Sequence, residues 1–449
     1  MGQSELKKEI INLSVPAIGE MFLQLALINA DTIMLGRLGG VALAAAGLSK
    51  QLAGINTIIL FAIATGTTAL VARYVGAKDY SLASKVVNQS ILIGLLLGGL
   101  IFGVGFFLAS VSLKLLGAKP EVLNLGVDYL KIILSSVIPA ALMIIGNSVL
   151  RAGGDTKSPM IVTGVINIIN IVGNYLLIFG IGVLPKLGLI GAGVATLVAR
   201  SVGVGIVIWR LVNNQFGIEL NYKQILKFDF KVLKQILRIG IPSAFERFAF
   251  KGGQLVIMRV IAILGTVAVA TRQIALSIET FSILPSYGLS IATTTLVGQK
   301  LGAKRDDEAK EGSLLANKFG ILATLVLGGL FFLFPKQLAR IYTSDPKLIP
   351  KAALCLQILA LAQPAKALNM ILGGTFRGAG DTKFPMYLTF IGVWGLSLPL
   401  TYLLGVKLSL GLVGIWLAMV VDEWFRALVC IYRFNTNKWN RVELNQLPG

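Results

Sequence analysis

Residues 13 to 39 read LSVPAIGEMFLQLALINADTIMLGRLG. As a helix this stretch is long enough to cross a bilayer, since about 30 Å of hydrocarbon takes roughly 20 residues. It nevertheless carries two carboxylates, Glu20 and Asp31. A charge at mid-bilayer costs from a few to more than about 10 kcal/mol, so membrane carboxylates face a cavity or a partner and mark ion or proton paths. The eleven residues from Glu20 to Asp31, at about 100° each, bring the two back to within about 20° of one another, with Gln24 on the same side. A polar stripe thus runs up one face of an apolar helix, and that face must look at protein or water.

The stretch comes back at residues 239 to 265, IGIPSAFERFAFKGGQLVIMRVIAILG. At an offset of 226, Pro16 answers Pro242, Glu20 answers Glu246, Phe22 answers Phe248, and Leu38-Gly39 answer Leu264-Gly265. Asp31 does not return; its counterpart is Ile257. The same offset relates ALVARYVGAKDYSLA at 69 to TLVGQKLGAKRDDEA at 295, and LRAGGDTKSPM at 150 to FRGAGDTKFPM at 376. The chain is a duplication in which one carboxylate is shared and one belongs to the first copy alone.

Composition sets the class. The 449 residues are 55% hydrophobic and 14% charged, with a mean hydropathy of +0.80, against about 25% charged in soluble domains. This is an all-α polytopic membrane protein. Twelve apolar runs of spanning length follow one another, the second at about 48 to 74, the fourth at 127 to 150, the fifth at 158 to 181 and the eighth at 271 to 299. They predict an N-terminal six-helix lobe at 1–211, a cytoplasmic linker at 212–235, and a C-terminal six-helix lobe with a short cytoplasmic tail at 236–449. Even-numbered connections and tails hold about twice the Lys and Arg of the odd-numbered ones, which places both termini in the cytoplasm by the positive-inside rule. Six helices per copy give both halves the same topology, and two such lobes are a secondary-transporter plan.

Other classes are excluded on chemistry. The net charge of +20 lies in short loops between spans, so nucleic acid is not the expected partner. There is no histidine, which rules out histidine relays and histidine metal sites. Cys355 and Cys430 sit inside apolar runs as core fillers. No G-x-x-x-x-G-K-[ST] loop exists, and GQKLGAK at 298 has the wrong spacing. No nucleophile arrangement or paired catalytic acid motif points to an enzyme. The N-terminus, MGQSELKKEIIN, runs into a full span without a cleavage site, so no removable signal is expected.

ADTIMLGRLGG around Asp31, the paired GAK loops, the paired R-x-x-G-D-T-K loops and the IPSAFER opening of the seventh span together resemble the multidrug and toxic compound extrusion (MATE) family. The resemblance covers essentially the whole chain, and is nearest the DNA-damage-inducible (DinF-like) prokaryotic branch. It implies a V-shaped pair of six-helix lobes in the inner membrane, exporting cationic amphiphilic compounds in exchange for protons or sodium ions. It also implies that Asp31 binds the coupling cation with polar partners on the fourth and fifth spans. Candidates there are Tyr129 and Asn147 on the fourth, and Thr163, Asn167, Asn170 and Asn174, which share one face of the fifth. Glu20 and Gln24 complete the coupling set. Sodium at Asp31 and the amide oxygens is as compatible as a proton. Some archaeal members carry a second aspartate where this chain has Asn174. The sodium-coupled branch uses acids on the seventh and tenth spans, where this chain has Glu246 and Lys366.

Remaining intramembrane charges are read in pairs. Glu246 shares a structural or functional reading with Glu20. Glu279 has Arg272 seven residues earlier, about 10 Å away on the same face. Asp422 and Glu423 precede Arg426 by four and three residues, the spacing of an internal ion pair. The Arg151-Asp155 and Arg377-Asp381 loops read as structural turns. Pro285 interrupts the eighth span and matches Ile59, so it marks a hinge specific to the second lobe. The expected function is a cation-coupled antiporter with no cofactor, working as a monomer on organic cations within the lipid bilayer. The alternative is a flippase for a lipid-linked or lysolipid substrate, served by Arg200, Arg247, Lys251, Arg259, Lys366 and Arg426 at membrane depth.

Overall fold

The structure is a computed structural model that describes residues 3–180, 185–213, 217–220, 225 and 227–440. Apolar runs too long for strands, with backbone groups that only a helix can satisfy in lipid, become α1 (Gln3–Gly36), α2 (Gly40–Gly76), α3 (Tyr80–Leu115), α4 (Pro120–Ser135), α5 (Val137–Ala152), α6 (Lys157–Phe179) and α7 (Gly188–Val212). The second copy gives α8 (Phe230–Ile263), α9 (Thr266–Gly302), α10 (Asp306–Leu333), the short α11 (Pro335–Arg340), α12 (Ile349–Ala379), α13 (Lys383–Phe390), α14 (Leu398–Tyr402) and α15 (Gly411–Asn435). Among the described residues, ten helical stretches are long and apolar enough to cross a membrane, α4 with α5 and 383–407 each counting once. α8 and α15 stand outside that set because of their charges, yet they are 34 and 25 residues long. Ten and two make the twelve read from hydropathy.

Two spans are not simple helices. The fourth breaks at Ser136 because Pro139 has no N–H for the Ser135 carbonyl; Ala140 instead donates to Ser136 O at 3.0 Å. The eleventh passes through π-helical turns at Ile391–Ser397 and Leu403–Lys407.

The duplication holds turn by turn. Gly39 and Gly265, at φ 100° and 97°, make the first turn of each copy, and Lys78 and Lys304, at φ 60° and 58°, close the two GAK loops. A left-handed lysine is uncommon, and finding it at equivalent positions shows one loop geometry used twice.

The chain forms two compact units. Among the described residues, one is Gly19–Gly240; the other joins those up to Ile18 with 241–440. These boundaries depart from the halves expected at 1–211 and 236–449 by an exchange of ends. Within the second unit Leu6, Ile10 and Leu13 of α1 sit in a core with Leu289, Leu296, Ile371 and Phe376. There a Cβ added at Gly288 would lie 2.9 Å from Ile18 N and 3.1 Å from Ser14 O. Within the first unit the start of α8 crosses α2 as closely: a Cβ on Gly240 would lie 2.3 Å from Ala62 O, and one on Gly66 2.3 Å from Ile236 O. Ser14 answers Gly240 and Ala62 answers Gly288, so this is one crossing made twice, each time opened by glycine.

The stretch expected as a linker is anchored on α3 of the first unit. Glu219 N donates to Ser84 Oγ at 2.9 Å, and Asp229 N to Gln89 Oε1 at 3.0 Å. Residues 214–216, 221–224 and 226 of that stretch, with Lys223 and Arg441 of the charge count, lie outside the described residues.

Candidate functional site

Asp31 lies five residues before the end of α1 and is held from two sides. Asn174 of α6 donates its Nδ2 to Asp31 Oδ1 at 2.8 Å and to Asn170 Oδ1 at 2.9 Å. Asn170 Nδ2 in turn donates to Thr196 Oγ1 of α7 at 3.1 Å. The four-residue spacing of Asn170 and Asn174 stacks their amides on one face, so Asn174 donates both to the carboxylate and to Asn170, and the chain of donors leads away from Asp31 to α7. On the other side Lys50 Nζ of α2 stands 3.4 Å from Asp31 Oδ2. The Asp31 side chain is 18% exposed and that of Lys50 41%, so neither partner is sealed inside the protein.

Two further groups bear on this carboxylate. Tyr129 of α4 is buried, and Tyr129, Arg200 of α7 and Asp31 interact electrostatically with one another. Arg200 Nη1 donates to Ser136 Oγ at 2.7 Å, where the fourth span breaks. Asn174 Oδ1 is buried and accepts no hydrogen bond.

The other candidates of the first unit are placed elsewhere. Glu20, 2% exposed, accepts from Arg151 Nη1 of α5 at 3.1 Å on each oxygen. Gln24 Nε2 leans on Glu20 Oε1 at 3.4 Å. Eleven residues along a helix is about 16 Å, so Glu20 and Gln24 form an ion-pair cluster apart from Asp31. Asn167 Nδ2 donates to Leu23 O at 2.6 Å, tying α6 to α1. Thr163 and Asn147 are buried, and the Oδ1 atoms of Asn147 and Asn167 accept no hydrogen bond.

The second unit repeats the ion pair but not the Asp31 site. Arg377 Nη1 stands 3.7 Å from Glu246 Oε1, the counterparts of Arg151 and Glu20. Glu279, 3% exposed, is ion-paired with Lys366 of α12. Arg272 turns away to Gln254 Oε1 at 2.7 Å, so the Glu279 partner is the lysine 87 residues on and not the arginine seven residues before. Arg426 Nη2 reaches Asp422 Oδ2 and Glu423 Oε1, each at 2.9 Å, and Asn369 Nδ2 donates to Glu423 Oε2 at 2.7 Å. Asp381 accepts from Arg433 at 2.8 Å, and Asp155 accepts from Ser158 N at 2.8 Å. Pro285 lies inside α9, which continues through it.

A family model, MatE, matches residues 16–176 and again 242–403, starting at the two equivalent prolines. The chain belongs to the MatE family. A protein of Thermotoga maritima named "Probable multidrug resistance protein NorM" is 34% identical over 445 residues, 97% of this chain and 94% of its own. The "Uncharacterized transporter YisQ" of Bacillus subtilis is 31% identical over 430 residues, 96% of this chain and 94% of its own. A solved structure described as MATE in the bent conformation has a TM-score of 0.90 at 25% identity and covers 97% of this chain and 96% of its own. The fold and the transport class follow: a multi-pass, all-α MATE transporter.

Lys50 is absent from the sequence-derived candidates because hydropathy starts the second span at about 48, which puts the lysine at a span edge, whereas α2 begins at Gly40 and carries it well inside. Arg272 stands in the same way at the edge of the span expected from 271, and α9 begins at Thr266. A signal for Lys50 was present. Its counterpart is Leu276, so Lys50, like Asp31, belongs to the first copy alone. Glu279 and Lys366 likewise answer Ala53 and Ala140. In a duplicated MATE chain, charges that appear in one copy only are candidates to meet each other, because each must find compensation within the membrane.

Proposed function

We propose that this MATE protein is a secondary antiporter of the inner membrane, with both termini in the cytoplasm, that exports cationic amphiphilic compounds against an inward flow of protons through Asp31. The observation that carries this reading is the position of Asp31: a membrane carboxylate, unique to one copy, partly exposed, and hydrogen-bonded by the first of two stacked, buried amides. The names of the relatives, which include multidrug resistance proteins, support the substrate class, and the Asp31 motif supports the DNA-damage-inducible branch.

Protonation removes the charge that holds Lys50 and makes Asp31 a donor. Asn174 Oδ1, buried and without a donor, is an acceptor for that proton once the amide turns. The two states of Asp31 therefore favour two arrangements of α1, α2 and α6, and an equilibrium between them shifts with protonation. A proton fits better than sodium. Lys50 already stands at Oδ2, and a hard metal cation, which calls for several oxygens, would have to displace it. Pro285 is the proposed hinge of the second unit.

The test is efflux of a fluorescent lipophilic cation from proteoliposomes, driven separately by a pH gradient and by a sodium gradient. The wild type is expected to respond to the pH gradient, Asp31→Asn to neither, and Pro285→Ala to transport more slowly. A wild type that moves no cation under either gradient ends the drug-export reading, and an Asp31→Asn variant with full coupled transport ends the role of Asp31.

A further inference from the structure

The helix that answers α1 carries the opposite charge. From Pro16 to Gly36 the first copy has Glu20 and Asp31; from Pro242 to Ala262 the second has Glu246, Arg247, Lys251 and Arg259. In the first copy Met21, Leu25 and Ile33 stand where the three cations are, and Ala46 answers Arg272 of α9. Neutral residues serve the same fold there, so the fold itself does not call for these charges.

Three of the cations gather on one stripe. At about 100° per residue, Arg247, Lys251, Gln254 and Met258 fall within about 60° of arc on α8. Arg272 reaches the stripe from α9, its Nη2 donating to Gln254 Oε1 at 2.7 Å and its Nη1 to Met258 Sδ at 3.5 Å. Gln254 follows Lys251 by three residues, which puts their Cβ atoms about 5–6 Å apart. Arg247 is hydrogen-bonded to Tyr287 and interacts with the neighbouring Glu246. Counted from the turn at Gly265, Arg272 lies about 10 Å and Lys251 about 20 Å into a hydrocarbon core of about 30 Å.

Compensation is thin. The carboxylates that interact with these cations, Glu246 with Arg247 and Glu279 with Arg272, are each also paired with another cation, Glu246 with Arg377 and Glu279 with Lys366. Arg272 hydrogen-bonds neutral groups, and Lys251 is exposed. Through Gln254, which stands one turn from Lys251 and accepts from Arg272, two like charges are directed to the same part of the stripe at membrane depth, where charge is costly. An oxyanion accepting from both would relieve that cost, and Phe250 and Leu255, exposed on either flank of the stripe, offer apolar surface to the rest of the molecule.

We propose that Lys251 and Arg272, steadied by Gln254 and backed by the charge of Arg247, bind the phosphate or carboxylate head of an amphiphile within the second unit. The site makes no use of Asp31 and so stands or falls separately from the antiport mechanism.

The test is thermal unfolding of the full chain in neutral detergent, titrated with dihexanoyl phosphatidic acid, with octanoate and with inorganic phosphate. Either amphiphile is expected to raise Tm of the wild type and of Asp31→Asn alike. Lys251→Met and Arg272→Met should need at least tenfold more ligand for half the shift, whereas Arg259→Met, off the stripe, should stay within twofold. Stabilisation by inorganic phosphate as strong as by the amphiphiles supports the oxyanion site and assigns it a soluble source. Unchanged binding by Lys251→Met, which removes an exposed side chain and leaves packing intact, overturns the proposal, as does the absence of any stabilisation of the wild type.

Discussion

The ion pair made in both copies provides a comparison the molecule sets up itself. Glu20 and Arg151 meet at 3.1 Å with side chains 2% and 14% exposed; Glu246 and Arg377 stand at 3.7 Å with 21% and 22%. Distance alone separates them little, since Coulomb attraction at an effective dielectric of 20 is about 5 kcal/mol for the first and about 4.5 for the second. Burial decides. Removing one partner of a buried pair strands a charge and costs about 3–5 kcal/mol, whereas pairs open to solvent are worth about 1 kcal/mol or less. Double-mutant cycles with Glu20→Gln and Arg151→Met should therefore give a coupling of about 2–4 kcal/mol, and Glu246→Gln with Arg377→Met about 1 kcal/mol or less. Reversible unfolding in mixed micelles measures both. Equal couplings, or a larger one in the second copy, would refute the reasoning. The transport assay adds a separate check: a Glu20→Gln/Arg151→Met protein that regains stability but moves no substrate would show that Glu20 does more than brace the helices.

Two further outcomes follow from single contacts. Lys50 competes for Asp31 with any cation that binds there; its pair is partly exposed and worth up to about 1 kcal/mol, so Lys50→Gln should tighten binding of a fluorescent organic cation up to about fivefold. Unaltered affinity in an equilibrium titration would remove Lys50 from the site. Gly392 lies in the first π-helical turn, where a Cβ would come within 2.4 Å of Asp422 Oδ1 and 2.6 Å of Arg426 Cδ. Gly392→Ala should destabilise the second unit by about 1–3 kcal/mol, read as a lowered Tm; an unchanged Tm would mean that the π turn absorbs the methyl group.

Much of this was legible in one dimension because the membrane restricts the choices. Spanning length and hydropathy give the helices, and the 226-residue offset gives the duplication. Helical periodicity put Asn170 and Asn174 on one face and Arg426 beside Asp422 and Glu423, since those relations are local. It equally put Glu20, Gln24 and Asp31 on one stripe, but a stripe has length: Glu20 meets Arg151 and Asp31 meets Lys50, about three turns apart.

The sequence by itself determined the class, the spans, the internal repeat and the singularity of Asp31. Each follows from spacing along the chain or from comparing one half with the other. Only the tertiary structure decided who meets whom: Asp31 with Lys50, Glu279 with Lys366, Glu20 with Arg151, across separations of 19, 87 and 131 residues. It also decided that the ends of α1 and α8 are exchanged between units. A helix fixes the direction of its own side chains, whereas the neighbour they find depends on close crossings such as those at Gly66, Gly240 and Gly288, which a glycine permits without announcing.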